Sequence, residues 1–175
     1  MSSLGDTNIP PAGGSAAPTL VRGVRTLKPL VSAAGAYPWG MPEIRTVALA
    51  HVRDRRMLQA RSVGKTAFYM AGGKIDPGET PEQALHREIR EELDAGIVDG
   101  TLERLGVFEA EAFGHPPGTR LHMTCYRATL TAEPVATSEI AELRYFTVDE
   151  YAAMPESAPG SRLVFEHLRS LGLVD

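Results

Sequence analysis

The sequence predicts an α/β fold: a mixed sheet with helices packed on it. Three observations lead there. Short runs rich in β-formers recur along the chain. Pro81–Leu93 carries a full set of helix signals. A second amphipathic stretch, Ser161–Leu171, lies far from the first, so two helices are separated by strands.

Residues 1 to about 20 are rich in Gly, Pro, Ala and Ser, too apolar-poor to offset ordering entropy, and are expected to be disordered. Residues 21–40 hold apolar positions at Val21, Val24, Leu27, Leu30 and Val31, and Trp39 sits between Pro38 and Gly40. Residues 1–40 are therefore read as an N-terminal appendage, with the compact domain at 41–175. Within that domain Ile44–Val52 reads as a strand, Arg53–Arg56 as a turn, and Met57–Arg61 as the returning strand. Phe68–Met70 is a short apolar stretch ahead of two glycines. Leu105–Phe113 and Leu121–Leu130 read as strands joined by the loop Gly114–Gly118, and Leu143–Phe146 as a last strand. In the closing helix Leu163, Val164, Phe165, Leu168 and Leu171 lie mostly on one side.

The 175 residues suit one domain plus an appendage, and 43% hydrophobic residues suffice for a core. A net charge of −4 argues against gripping long nucleic acid, which needs a basic face. It leaves room for small phosphorylated substrates if a metal ion carries the positive charge. The single cysteine, Cys125, excludes an intrachain disulfide. Without a secretory signal pattern or an apolar run of membrane-spanning length, a cytoplasmic protein with no membrane partner is expected. A homodimer is compatible with the sequence, which fixes no oligomeric state.

The informative stretch is Gly72–Ile97, GGKIDPGETPEQALHREIREELDAGI. Thr80 suits the N-cap, Pro81 the first helical position, and Gln83 completes a capping box. Leu85, Ile89 and Leu93 form one apolar stripe. Glu88, Glu91 and Glu92 form an adjacent stripe, while Gln83, His86 and Arg90 fall on the solvent side. Three carboxylates so close repel one another, and a hard divalent cation would relieve that. Arg87, four residues before Glu91, can orient one of them. The glycines of Gly72–Glu79 let backbone approach closely.

This stretch resembles the Nudix box, G-x5-E-x7-R-E-U-x-E-E-x-G-U, with U a bulky aliphatic. The matches are Gly73, Glu79, Arg87, Glu88, Ile89, Glu91 and Glu92. Asp94-Ala95 stand where Gly-U is expected and Gly96-Ile97 follow, which reads as a two-residue insertion lengthening the helix. Ala71 stands where many members have Pro.

The resemblance implies a Nudix-type α/β/α sandwich with the box helix and the C-terminal helix on a mixed sheet. It implies Mg²⁺ or Mn²⁺ held by Glu88, Glu91 and Glu92, joined by the Gly72 carbonyl and by a loop acid, Glu139 in preference to Glu142. It implies that Arg87 orients carboxylates, that Glu79 and Gly73 support them, and that Glu88 or Glu91 accepts a proton from the attacking water. The implied activity is pyrophosphohydrolysis of a nucleoside diphosphate linked to another moiety, with a nucleoside triphosphate or related small nucleotide as the expected substrate. The alternatives are an ADP-ribose or ADP-sugar hydrolase and a non-catalytic nucleotide sensor on the same fold. A prenyl diphosphate isomerase would need Cys125 as a reactive group, but that residue lies mid-strand. For a base slot the candidates are Trp39, Phe68, Tyr69, Phe113 and Tyr126, with core packing the competing role for each. His115 could edge the site from its Gly/Pro loop.

Overall fold

A computed structural model describes residues 42–175. The expectations for residues 1–40, Trp39 among them, lie outside the described residues. The strands are β1 (Glu43–Leu49), β2 (Val52–Arg53), β3 (Arg56–Ser62), β4 (Glu103–Glu111), β5 (Arg120–Arg127) and β6 (Ile140–Phe146). The helices are α1 (Pro81–Leu93), α2 (Val148–Ala152) and α3 (Pro159–Ser170).

Two three-stranded sheets form, ordered β1-β5-β4 and β2-β3-β6. β1 runs parallel to β5, and the other pairings are antiparallel. The expected single strand Ile44–Val52 is in fact split. β1 ends at Leu49, and Val52-Arg53 belong to the second sheet. The hairpin that follows turns on Asp54 and Arg55, both with left-handed φ (49° and 59°). Two such residues in a two-residue loop match the twist of the flanking strands.

Alternation along the strands makes two cores. Val47 and Leu49 of β1, Leu58 of β3 and Tyr126 of β5 pack with α1. Ala48 and Ala50, Met57, Met123 and Cys125 face the other way, onto α2 and α3. Both sheet faces are thus covered, which is why Val47–Ala50 reads as an unbroken apolar run. The result is an α/β/α sandwich.

α1 has the expected bounds and the full capping box between Thr80 and Gln83. Leu85, Ile89 and Leu93 are fully buried. Each such burial stabilises by about 1.5–3 kcal/mol. A like-charge pair one turn apart costs only about 0.2–0.5 kcal/mol. The apolar stripe therefore holds the helix against its own crowded glutamates.

The end of α1 corrects one expectation. No insertion lengthens the helix: it stops at Leu93, and Asp94 caps it in the left-handed conformation (φ 48°, ψ 36°). Asp94 takes the turn usually given to glycine, and Ala95 is buried where the bulky aliphatic would sit. Asp tolerates this conformation better than most residues. α2 was not expected from the sequence. Five residues are too few for periodicity, although Thr147 and Glu150 form a capping box that signals it.

Candidate active site

The segment before α1 runs beside β1. Val47 N–H donates to the Gly73 carbonyl and Leu49 N–H to that of Ala71, each at 2.9 Å. The Gly72 carbonyl between them faces away from β1, and no group among the described residues donates to it. Gly72 has φ +136°, and a Cβ there would collide with the Val47 carbonyl. A Cβ on Gly73 would overlap the Glu88 carboxylate. The glycine pair is thus required twice, once by backbone conformation and once by the space Glu88 occupies.

Arg87 organises the near half of the site. Its Nε and Nη2 donate to the two Glu79 carboxylate oxygens, both at 2.9 Å. Nη1 donates to Glu88 Oε1 at 2.7 Å and Glu91 Oε2 at 3.2 Å, and Nη2 reaches the Lys74 carbonyl at 3.0 Å. The bidentate pair is the strong form of this contact. It holds the Glu79 carboxyl at about 2, well below the usual carboxylate range. Glu88 is half-buried. Burial raises its carboxyl, and Arg87 only partly counters that.

Glu92 lies outside the Arg87 network. Its Oε2 accepts from Gly72 N–H at 2.8 Å. Burial pushes its carboxyl up to about 7. The Gly72 bond pulls it down, and the charges of Glu88, Glu139 and Glu91 push it up again. Glu139 is therefore near enough to act on Glu92. Its loop docks there, with Thr137 N–H donating to the Glu92 carbonyl at 3.4 Å and Val63 N–H to the Glu139 carbonyl at 2.9 Å. Glu142 is turned elsewhere, paired with Arg61 across the β3–β6 ladder at 2.9 Å.

The three box acids do not meet at one point. Among the described residues no group of three His, Cys, Asp or Glu side chains is set as a metal cluster. Arg87 draws Glu88 and Glu91 to one side, and Gly72 N–H holds Glu92 on the other. The donors nevertheless suit a hard cation, being carboxylate oxygens and one free carbonyl. Burial is the first cause that raises the Glu88 and Glu92 carboxyls, and a cation beside them would favour their charged forms.

Of these groups Gly72 and Glu92 line a cleft of about 240 Å³, and Glu88, Glu91 and Glu139 do not. Gly72, Gly73, Lys74 and Glu92 line one part, and Tyr69, Phe113, Leu121 and Met123 another. The rings of Tyr69 and Phe113 lie 6.1 Å apart, tilted by 59°. Of the aromatic candidates within the described residues, these two reach the cleft. Phe68 is buried in the α3-side core, and the Tyr126 hydroxyl donates to Glu82 at 2.6 Å. His115 also lines the cleft. Cys125 is wholly buried with its thiol pushed far up, so it carries no reactive chemistry.

A NUDIX domain family model matches residues 42–168. The chain belongs to the Nudix family. Structural neighbours include a MutT NUDIX hydrolase from Burkholderia pseudomallei, which superposes with TM-score 0.60 at 23% identity, covering 72% of this chain and 98% of that one. The solution structure of the E. coli ORF135 protein superposes with TM-score 0.60 at 26% identity, covering 75% of this chain and 92% of that one. The MutT protein of Methanosarcina mazei Go1 superposes with TM-score 0.61 at 17% identity, covering 75% and 96%, a likeness of fold alone. Among curated relatives, the RNA pyrophosphohydrolase of Aeromonas hydrophila is 40% identical over 50 residues, 29% of either chain. That of Halorhodospira halophila is 44% identical over 46 residues, 26% of this chain and 25% of its own. The chain thus spans under a third of the curated relatives it matches. Among the described residues no helix is long and apolar enough to cross a membrane.

The sequence reading missed Thr46, Lys74, Gly160 and Ser161 as cleft residues. A threonine inside the apolar run IRTVALA was the one visible signal.

Proposed function

We propose that this Nudix hydrolase cleaves a phosphoanhydride bond in a nucleoside diphosphate linked to another moiety, with nucleoside triphosphates and related nucleotides as the substrate class. One observation carries the reading: a single cleft is lined by Glu92, Gly72 and Lys74 at one part and by an aromatic pair at another. The phosphates belong at the first, the base at the second.

Mg²⁺ or Mn²⁺ would be held by Glu88, Glu91, Glu92, the Gly72 carbonyl and Glu139, neutralising diphosphate oxygens and activating water. Arg87 fixes Glu88 and Glu91 through Nη1 and is itself anchored by Glu79. Gly73 keeps the space into which Glu88 extends. The water's proton passes to Glu88 or Glu91. Lys74, at the cleft wall, supplies a cation for a substrate phosphate. The curated relatives named for RNA share only a short segment with this chain, and a net charge of −4 favours small nucleotides over long nucleic acid.

A screen of nucleotides, dinucleotides and ADP-sugars in millimolar Mg²⁺ or Mn²⁺ tests the reading. Phosphate or pyrophosphate release that EDTA abolishes is the expected result. Binding without turnover across the panel would replace it with the nucleotide-sensor reading.

A further inference from the structure

We propose that Tyr151 is a positioning residue for the cleft: its hydroxyl ties the start of α3 to the segment before the glycine pair, and so sets where one wall stands against the other. This rests on the reading of the cleft as the substrate site.

Two stretches far apart in the chain wall the cleft here. Tyr69 and Met70 belong to the segment that leads into Gly72 and Gly73, and Ala158–Ser161 form the start of α3. Their anchorage differs. Tyr69 is bonded both ways to Ala60 of β3, donating at 2.8 Å and accepting at 2.7 Å. The start of α3 has no side-chain cap among the described residues. The first amides of a helix find no partner within it, and Pro159 has no N–H to offer. The amide before it, that of Ala158, donates to the Tyr151 hydroxyl at 3.1 Å. The same hydroxyl donates to the Phe68 carbonyl at 2.8 Å. One buried oxygen thus stands between the two stretches.

Core packing does not account for that oxygen. The Tyr151 ring stacks on Phe165 with centroids 4.8 Å apart and meets Phe146 edge-on at 5.8 Å. A phenylalanine would make both contacts. It would leave the Phe68 carbonyl and the Ala158 N–H without this shared partner. Phe68 and Ser157 also form a parallel bridge, so the stretches stay neighbours without the hydroxyl, and Tyr151→Phe should fold. What the variant loses is the fixed separation.

The wall that is held this way has no slack beneath it. A Cβ on Gly160 would stand 2.7 Å from Leu121 Cδ2 and 3.5 Å from Met123 Cε, and both of those residues line the cleft. The start of α3 therefore rests directly on the floor, and release at Ala158 leaves it free to move outward or along that floor. Glu92 and Gly72 line another part of the cleft and are bonded to each other at 2.8 Å. The Tyr151 hydroxyl bonds neither. Its loss should therefore weaken binding and spare the chemical step.

The test compares wild type with Tyr151→Phe and with Val164→Ala, a core substitution on the same helix at a residue that does not line the cleft. Each is assayed well below its melting temperature with the nucleoside triphosphate that wild type turns over fastest in millimolar Mg²⁺. Tyr151→Phe should raise KM about tenfold and change kcat by less than about twofold. Val164→Ala should lower the melting temperature and leave KM unchanged. Amide hydrogen exchange at Gly160 and Ser161 should quicken in Tyr151→Phe alone. An unchanged KM in Tyr151→Phe overturns the proposal, as does an equal rise in Val164→Ala, which would mean general loosening of the core. If wild type hydrolyses no nucleotide, the hydrolytic reading fails, and nucleotide Kd from calorimetry takes the place of KM. Weaker binding to Tyr151→Phe alone then upholds the role of the hydroxyl, and equal or absent binding ends it.

Discussion

At the N-terminal end of α1, Thr80 and Gln83 close a capping box, and Arg87 binds both oxygens of Glu79 and holds its carboxyl at about 2. At the C-terminal end, Glu92 is part-buried near other acids with its carboxyl raised to about 7, and Asp94 takes a left-handed turn. The two ends belong to one helix of 13 residues. The first satisfies its charges within the chain, so its work is structural. The second sets a carboxyl that burial raises beside the Gly72 carbonyl and a cleft, where a bound cation would favour the charged form. Predictions follow from breaking each end in turn.

The largest effect belongs to Glu92→Gln. Removing a metal-facing charge should lower kcat by about 100- to 1,000-fold. The same change should stabilise the metal-free protein at pH 8. The folded carboxyl, at about 7, holds its proton more tightly than the unfolded one at 4.5. Stability from this group is therefore complete below 4.5 and lost as pH rises through 7, by at most about 3 kcal/mol. Melting in EDTA across this range should show the mutant's advantage at pH 8 and none near pH 4.5. A mutant less stable than wild type at pH 8 would mean that the Gly72 hydrogen bond outweighs the buried charge.

Glu139 and Glu142 sharpen the assignment of the open end. Glu139→Gln should lower kcat, or raise the Mg²⁺ needed for half-activity, by about tenfold. Glu142→Gln should change either by less than about twofold, because it loses only a partly exposed pair with Arg61. The reverse ranking in a Mg²⁺ titration would move the role to Glu142.

The closed end should respond in stability alone. Thr80→Ala removes the cap and should cost about 1 kcal/mol, a few degrees in melting temperature, with KM unchanged. A change in KM would show that the capped end also meets substrate. The smallest effect is expected for Asp94→Gly, which relieves the left-handed turn and should stabilise by about 0.5 kcal/mol with activity intact. A destabilised variant would show that the Asp94 carboxylate makes a contact of its own.

α1 and its faces were determined by the sequence alone. Its bounds, its caps and its buried stripe depend on spacings of three and four residues, which the helix converts directly into faces. The glycine pair was legible for the same reason, being adjacent to that helix. The parts that tertiary structure decided all join residues far apart in the chain. The break after Leu49 depends on which sheet each half pairs with, and strand alternation looks the same either way. Which aromatics meet the cleft, Tyr69 and Phe113 and not Phe68 and Tyr126, depends on which face of its strand or loop each falls on. Glu142 is paired with Arg61 across the β3–β6 ladder, which no local pattern records. Gly96-Ile97, two residues past the expected pair, suggest an insertion, whereas the left-handed Asp94 and the buried Ala95 keep the turn in place. Local spacing supplies the acids; only packing decides which of them are buried, which are paired, and which are left facing a ligand.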